Sequence, residues 1–264
     1  MIKAIFLDVD GTLISFKTHK VPVSALEALR RAHARGARLF IATGRAAADL
    51  ELLGEIPYDG VVALNGADCL MRDGTLVARH PIPRADFEKS LALSAELDFP
   101  VGLELNDGVF VNRVTPEVVR LAKLVAHPVP EQVDLRALFD RGDCCQMCFY
   151  FDPELEKRVM AELPGLVASR WCPIFADINV RGIDKATGLA EFASHFGFAH
   201  GETMAFGDGG NDAAMLRAAG VGVAMGNAKE HVREIADVVA PDNEHDGVAW
   251  TVERVLRGDF DGIG

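Results

Sequence analysis

The sequence predicts an α/β fold: a doubly wound, Rossmann-like parallel sheet forms a core domain, which is interrupted by an inserted α+β cap domain. Over the first third of the chain, short apolar runs of strand length alternate with segments of helical pattern. Hairpin signals dominate between residues 83 and 181, and the strand–helix alternation then returns. The predicted core therefore comprises residues 1–82 and 182–264, and the predicted insert comprises residues 83–181.

Residues 1–82 carry the elements that predict a parallel sheet. Ala4–Leu7 is an apolar run of strand length. Ser24-Ala25-Leu26-Glu27 has the capping-box pattern and predicts a helix that ends near Ala34. The predicted elements that follow are strand Arg38–Ala42, helix Arg45–Leu53, strand Gly60–Leu64 and a hairpin of Ala67–Met71 with Thr75–Arg79. Because helices join the first three strands, these strands are expected to be parallel.

The insert is delimited by a linker near Pro81 and Pro83 and a second linker near residue 182. Its predicted elements are helix 84–97, a hairpin of strands 101–105 and 109–113, helix 117–125, strand 146–151, helix 153–163 and strands 166–170 and 174–180. The core resumes with helix 185–196, strand 203–207, helix 211–219, strand 221–225, helix 228–235, strand 237–240 and helix 247–256. The last residues, through Gly264, are expected to fray.

Composition and charge exclude several classes of function. The formal net charge of −12 disfavours nucleic acid and anionic membranes as partners, because both need clustered Lys and Arg. Neither a signal peptide nor a membrane span is expected, since no apolar run has the required length or position. The five cysteines form no regular framework, which predicts reduced, buried thiols in a cytoplasmic protein. Nothing indicates an obligate interface, so a monomer or weak dimer is expected.

Polar residues follow the predicted strands at the edge where their carboxyl ends meet. Asp8 and Asp10 follow the first strand, and a turn just after them can bring both carboxylates toward one point. Thr43-Gly44 follows the second strand, where a hydroxyl and backbone N–H groups can hold a phosphate. Gly207–Asp212 follows a later strand, and Lys185 begins the helix after the insert. Neighbouring carboxylates repel each other, and a metal ion with a transferred group would offset that cost.

Four segments resemble, in order, the four motifs of the haloacid dehalogenase-like (HAD) superfamily: Asp8–Thr12, Thr43, Lys185 and Gly207–Asp212. The resemblance covers nearly the whole chain, and the insert is similar to the large α/β cap of the Cof-type (IIB) branch. Three segments are typical of that branch when they occur together: Ile41–Arg45, Leu64–Ala67 and Gly207–Asp212. Three further stretches are similar to its hexose-phosphate phosphatases: Ser15–His19, Arg170–Asp177 and Met225–Lys229.

The resemblance implies a Mg²⁺-dependent phosphatase of small phosphate esters, with sugar phosphates the expected substrates. Asp8 would be the nucleophile that forms an aspartyl-phosphate, and Asp10 would protonate the leaving alkoxide and then activate water. Mg²⁺ would be held by the Asp8 carboxylate, the Asp10 main-chain carbonyl and Asp208. The phosphoryl oxygens would be held by Thr43, Lys185, Asn211 and the amides of Gly11 and Gly44. The insert would be a lid that excludes water and selects the leaving group.

Several of these residues allow a simpler interpretation. Asn65 begins an Asn-Gly turn, and a role in substrate binding is the alternative. Asp177 and Asn179 share one face of a strand. This face is either solvated or in contact with the leaving group of the substrate. Asp212 is expected to orient Lys185 or a metal-bound water rather than to bind the metal directly. Two other functions stay open: a sugar phosphomutase on the same core, and a non-catalytic sensor of phosphorylated metabolites.

Overall fold

The structure is a computed structural model, and it describes residues 1–260 apart from the side chain of Trp171. The chain divides into two compact units: a core unit of Met1–Ala78 with Ile183–Gly264, and an inserted unit of Arg79–Gly182. The boundaries predicted from the sequence lie near residues 82 and 182. The predicted fraying of the last residues, through Gly264, lies outside the described residues.

The strands and helices have the following bounds. The strands are, in chain order, β1 (Ala4–Leu7), β2 (Arg38–Ala42), β3 (Gly60–Ala63), β4 (Asp68–Met71), β5 (Leu76–Arg79), β6 (Val101–Leu105), β7 (Gly108–Val111), β8 (Glu131–Gln132), β9 (Gln146–Phe149), β10 (Leu166–Cys172), β11 (Phe175–Val180), β12 (Thr203–Gly207), β13 (Val221–Ala224) and β14 (Val238–Val239). The α-helices are α1 (Val23–Ala34), α2 (Arg84–Leu97), α3 (Pro116–Leu124), α4 (Leu135–Phe139), α5 (Pro153–Ala161), α6 (Lys185–Phe196), α7 (Ala213–Ala218), α8 (Glu230–Arg233) and α9 (Gly247–Arg257). Short 3₁₀ helices span Ala47–Leu53, Leu64–Gly66, His200–Glu202 and Gly210–Asp212.

The core unit is built on a sheet with the strand order β14-β13-β12-β1-β2-β3-β4-β5. The strands from β14 to β3 run parallel, and β4 runs antiparallel to β3. All four residues of β1 are fully buried, as expected for a central strand covered on both faces. The segments that leave β1, β2 and β12 therefore emerge side by side at one edge of the sheet. This topology confirms the predicted fold class.

Helix α6 is fixed to this sheet by close packing. The ring of Phe192 is fully buried and lies 4.5 Å from the ring of Phe40 and 6.5 Å from the ring of Phe6, centroid to centroid. One turn earlier, Gly188 lies against the side chain of Val62 so closely that a Cβ at this position would overlap it. Because α6 begins at Lys185, these contacts also determine where the Lys185 backbone lies.

The inserted unit has its own sheet, in the order β10-β11-β9-β6-β7-β8. Neighbouring strands are antiparallel except for β7 and β8, which are parallel. A separate hydrophobic core lies on one face of this sheet, where the rings of Phe87 and Phe139 stack with centroids 4.0 Å apart. The alternation of β6, β9 and β11 supplies apolar residues to this core, and the opposite face carries polar residues beside a smaller apolar cluster that includes Cys148 and Phe175.

Two local expectations were wrong, and two short elements were not predicted. Helix α1 begins at Val23 after Pro22 and has no side-chain cap, because the Ser24 hydroxyl donates to the Asp246 carboxylate instead of closing a capping box. The segment expected to be a helix over residues 45–53 is a 3₁₀ helix from Ala47 to Leu53. Strand β8 and helix α4 were not expected, since two and five residues are too few to show a period.

The structure also gives the state of the cysteines and the lengths of the helices. All five cysteines are buried, and none forms a disulfide. Across residues 1–260, no helix has the length and apolar composition that crossing a bilayer requires.

Candidate active site

Lys185 lies at the centre of the candidate site, and its side chain is fully buried. Its Nζ donates hydrogen bonds to Oδ1 of Asp8 and Oδ1 of Asp212, each at 2.6 Å. The helix start that positions Lys185 is well capped, because the Asp184 carboxylate accepts from the backbone N–H groups of the first turn. One ammonium group thus connects the end of β1 with the segment that follows β12.

Asp212 uses both carboxylate oxygens in this arrangement. While Oδ1 accepts from Lys185, Oδ2 accepts from the backbone N–H groups of Asp208 (3.0 Å) and Gly209 (2.8 Å). Gly207 lies so close to the Asp212 side chain that a Cβ at this position would overlap it. Asp212 therefore orients Lys185 and fixes the conformation of its own loop.

Three carboxylates cluster beside Lys185. Oxygens of Asp8, Asp208 and Asp212 all lie within 4.8 Å of one another. Burial, with a further contribution from Asp212, raises the pKa of Asp8 to about 8, and the same two causes raise the pKa of Asp208 to about 6. Burial alone would lower the pKa of Lys185, but the neighbouring Asp212 and Asp8 outweigh it and raise that pKa overall.

The donor set of this cluster fits a divalent cation. Three carboxylates face one ammonium group, so two further positive charges would balance the site, and carboxylate oxygens suit a hard cation. Gly11, at φ +91°, passes so close to the Asp208 carboxylate that a Cβ there would overlap it. Only glycine allows the chain to turn this tightly against the cluster. These residues could hold a metal ion.

Asp10 has a different partner from Asp8. Its half-buried carboxylate accepts two hydrogen bonds from one guanidinium: Arg45 Nε donates to Oδ2 and Arg45 Nη2 donates to Oδ1, both at 2.8 Å. This fork geometry fixes the direction of the Asp10 carboxylate. The two residues lie 35 positions apart in the chain, so no local sequence pattern predicts this pair.

Three of the residues expected to hold phosphoryl oxygens, Thr43, Gly44 and Asn211, have partners near the ends of β2 and β3. Thr43 is buried, and its Oγ1 accepts from the Arg45 backbone N–H at 3.1 Å. The Asn211 Nδ2 donates to Asn65 Oδ1 at 3.1 Å, and the backbone of Gly44 lies against the same Asn65 carboxamide. The structure therefore brings Gly44, Asn65 and Asn211 together, although they come from three separate segments.

Asn227 lies in the stretch Met225–Lys229 that resembles the hexose-phosphate phosphatases, but no individual role was predicted for it. Its Nδ2 donates to the Gly11 carbonyl at 2.8 Å and to Asp208 Oδ2 at 3.2 Å, so it joins the segments after β1 and β12. The position of Asn227 after a parallel strand could have predicted that it lies in the site. Asn227 follows β13, which is parallel to β12, and therefore emerges at the edge of the sheet where the other site residues lie.

Asp177 and Asn179 lie on β11 of the inserted unit. Asp177 Oδ1 accepts from Gln146 Nε2 at 3.2 Å, and Asn179 Nδ2 donates to the Cys145 carbonyl at 3.3 Å. The Sγ atom of Cys148 lies near Asp177 as well, but burial and nearby carboxylates raise the pKa of this thiol well above its usual value. A protonated thiol is a poor metal ligand, and these contacts describe a polar network within the unit.

The fold and this arrangement of acids around a buried lysine define a class of phosphate-ester hydrolases. Residues 5–252 match the haloacid dehalogenase-like hydrolase family, and the chain belongs to that family. The comparisons with solved structures and curated proteins further support a phosphatase of the HAD IIB, Cof-type branch. The resemblance drawn from the motifs is thereby confirmed.

Individual relatives match along almost the whole chain. BT1666 from Bacteroides thetaiotaomicron, described as a phosphatase of the haloalkanoate (HAD) enzyme superfamily, is 54% identical with a TM-score of 0.92, and the match covers 96% of this chain and 95% of that chain. BT4131, described as a HAD subclass IIB sugar phosphatase, is 35% identical with a TM-score of 0.82 over 96% and 99% of the two chains. Pyridoxal phosphate phosphatase YbhA from Escherichia coli (strain K12) is 29% identical over 94% of this chain and 96% of its own length.

Proposed function

We propose that this phosphatase is a Mg²⁺-dependent phosphomonoesterase that hydrolyses small phosphorylated metabolites, sugar phosphates foremost, through an aspartyl-phosphate. One observation carries the proposal: the buried Lys185 ammonium joins Asp8 to Asp212 beside Asp208. A nucleophilic carboxylate, a phosphate-binding cation and a carboxylate cluster that suits a metal ion are thus held at one point.

In the proposed reaction, Asp8 attacks the phosphorus atom of the ester. A bond forms between a carboxylate oxygen of Asp8 and phosphorus, and the bond from phosphorus to the alkoxide oxygen breaks. Asp10 donates a proton to that alkoxide and later takes a proton from the water that hydrolyses the aspartyl-phosphate. Arg45 fixes the direction of the Asp10 carboxylate.

The protein must also bind the charge of the phosphoryl group. Thr43, Lys185 and Asn211, with the amides of Gly11 and Gly44, are proposed to hold its oxygens. Uncatalysed hydrolysis of phosphate monoesters is so slow that enzymes accelerate it by up to ~10²¹-fold. Preorganised positive charge and hydrogen-bond donors must therefore supply most of the acceleration.

Mg²⁺ is the proposed cation, held by the Asp8 carboxylate, the Asp10 main-chain carbonyl and Asp208. When bound, it supplies positive charge next to the transferred phosphoryl group. The pKa values of Asp8 and Asp208, both raised by burial, support this assignment, since carboxylates in such surroundings need a compensating charge to stay ionised.

The substrate class rests on chemistry and on relatives. An acidic protein that takes a small anionic ester needs local positive charge at the site, which Lys185 and a cation provide. The description of BT4131 as a sugar phosphatase supports sugar phosphates, whereas YbhA supports pyridoxal phosphate as an alternative to include in tests. We further propose that the inserted unit, drawn in the sequence analysis as residues 83–181, acts as a lid that selects the leaving group.

A phosphate-release screen tests this function. The panel contains sugar phosphates, nucleotides, pyridoxal phosphate and flavin mononucleotide, each with Mg²⁺ and with EDTA. We expect Mg²⁺-dependent phosphate release, fastest with sugar phosphates. Formation of glucose-1-phosphate from glucose-6-phosphate in place of free phosphate would instead identify a phosphomutase, and no turnover across the panel would favour a sensor.

A further inference from the structure

The turn Leu64–Gly66, between β3 and β4, has an unusual backbone. All three residues have positive φ angles: +49° for Leu64, +56° for Asn65 and +99° for Gly66. Glycine adopts this region freely and asparagine tolerates it, but leucine rarely occupies it. Residues persist in such conformations only where their surroundings determine them, so the contacts of this turn indicate its purpose.

Backbone hydrogen bonds tie the turn to the segment that follows β2. The Asn65 N–H donates to the Thr43 carbonyl at 2.9 Å, and the Leu64 N–H donates to the Arg45 carbonyl at 3.0 Å. Gly44 lies between these two anchors. A Cβ on Gly44 would lie 3.2 Å from Asn65 Nδ2 and 3.3 Å from Asn65 Oδ1, so the carboxamide packs directly against the Gly44 backbone.

The same turn contacts two other segments of the site. Gly66 lies so close to Asp184 that a Cβ there would overlap its carbonyl group, and it would lie 3.2 Å from the Lys185 backbone nitrogen. The Asn65 side chain, in a residue only 7% exposed, accepts a hydrogen bond from Asn211, which is itself exposed. Three of the four motif segments therefore converge on this turn.

We infer that Asn65 is a positioning residue: its buried carboxamide holds Asn211 and the Gly44 turn in the arrangement that receives the phosphoryl oxygens. The inference rests on the proposed function, and it replaces the substrate contact considered for Asn65 with a role exerted through Asn211. An exposed asparagine samples several side-chain conformations. Restricting it to one of them when a ligand binds costs free energy. A buried partner removes part of that cost before binding, which preorganises the site.

The test uses Asn65→Gly, because glycine adopts φ +56° without strain and the substitution removes the carboxamide together with its Cβ. Asp98→Gly is the matched control, since Asp98 also has a positive φ (+60°) and is exposed in the inserted unit. The probes are hydrolysis of p-nitrophenyl phosphate and inhibition by inorganic phosphate, both with Mg²⁺, together with thermal unfolding. We expect Asn65→Gly to raise the inhibition constant of phosphate and to lower kcat/KM by roughly 10–150-fold, as for the loss of about one net hydrogen bond to a charged group. Asp98→Gly should change neither.

A double-mutant cycle with Asn211→Ala separates positioning from a general structural effect. If Asn65 acts through Asn211, Asn65→Gly/Asn211→Ala should be within about twofold of Asn211→Ala alone, since coupled residues do not contribute independently. Losses that multiply, or an unchanged phosphate inhibition constant with a lower unfolding temperature, would overturn the inference. If the wild-type enzyme and the Asn65→Gly variant are equally active, the positioning role is refuted and the proposed function is not. A wild-type protein that neither hydrolyses the ester nor binds phosphate removes the proposed function and this inference with it.

Discussion

At the scale of single residues, the site depends on which cation each acid contacts. Asp8 is paired with a fully buried lysine, whereas Asp10 is paired with a partly exposed arginine. Two acids that are neighbours in sequence therefore experience different electrostatic surroundings. Because burial raises the pKa of Asp8 to about 8, a cation bound beside it would be needed to keep the proposed nucleophile ionised at neutral pH.

Replacing Asp8 by Asn should abolish turnover while the fold survives. Asparagine has nearly the same shape but cannot form the aspartyl-phosphate, so we expect kcat to fall by roughly 10⁴-fold or more. The unfolding temperature should change little, since the substitution removes one of three clustered carboxylates. Phosphate release and thermal unfolding measure the two effects. Asp73→Asn, the same chemical change in an exposed turn, should leave turnover intact; retained activity in Asp8→Asn would refute the nucleophile assignment.

Mg²⁺ affinity should rise with pH between about 5 and 8. In the metal-free protein, Asp208 and Asp8 take up protons as the pH falls through about 6 and about 8, and a protonated carboxyl group does not bind the cation. Mg²⁺ binding should therefore release protons, which calorimetry in buffers of different ionisation enthalpy can measure. Equal Mg²⁺ affinity at pH 5.5 and pH 8 would contradict this assignment.

The same pKa shifts have a consequence for stability without metal. The folded-state pKa values of Asp8 and Asp208 lie above the ordinary value of 3.8, so the charged forms are disfavoured in the folded state. The metal-free protein should accordingly lose stability as the pH rises from about 4 to about 8, and added Mg²⁺ should reverse the loss. Denaturant unfolding with EDTA across this pH interval checks the direction.

At the scale of elements, the packing of helix α6 against the core sheet determines the position of Lys185 in the site. Its buried face contacts the sheet through Gly188 and Phe192, and its first residue is Lys185. The position of the Lys185 ammonium thus depends on contacts one and two turns away. The 3₁₀ turn after β3 limits the other side of the same helix start, because Gly66 lies against the Asp184 carbonyl.

Gly188→Ala should destabilise the protein, although alanine is the better helix former. The gain in helix propensity is about 1 kcal/mol. The new Cβ, however, would overlap Val62 Cγ1 and lie 2.9 Å from Val62 Cγ2, and such overpacking costs about 1–3 kcal/mol. We expect a lower unfolding temperature and reduced kcat, with partial recovery of both in Gly188→Ala/Val62→Ala. A Gly188→Ala variant more stable than the wild type would show that α6 is free to move.

At the scale of the whole molecule, each unit has a hydrophobic core drawn from its own residues. One cluster contains Phe6, Phe40 and Phe192 of the core unit, and another contains Phe87, Phe149 and Ile178 of the inserted unit. A unit that buries its own apolar side chains has the main driving force for independent folding.

Residues 79–182 expressed alone should therefore fold. We expect a cooperative thermal transition and dispersed amide resonances, because the antiparallel sheet and its core cluster lie within this range. Circular dichroism and two-dimensional NMR provide the measurement. The isolated unit should release no phosphate from any ester, since Asp8 and Lys185 lie outside it. A disordered fragment would show that the insert needs the core unit in order to fold.

The sequence alone determined the architecture and the site segments. Apolar runs and helical patterns are local signals, and they were sufficient for the parallel sheet, the insert and the segments after β1, β2 and β12. The carboxyl ends of parallel strands share one edge, so the sequence alone predicts that Asp8, Thr43 and Gly207–Asp212 lie near one another.

Only the tertiary structure decided the partners of the individual side chains. Asp10 pairs with Arg45, Asn65 with Asn211, and Ser24 with Asp246 rather than with its own helix start. These partners lie 35 to 222 positions apart in the chain. Backbone patterns follow from interactions over a few residues, whereas side-chain partnerships across segments depend on how the whole core packs, and no local pattern contains that information.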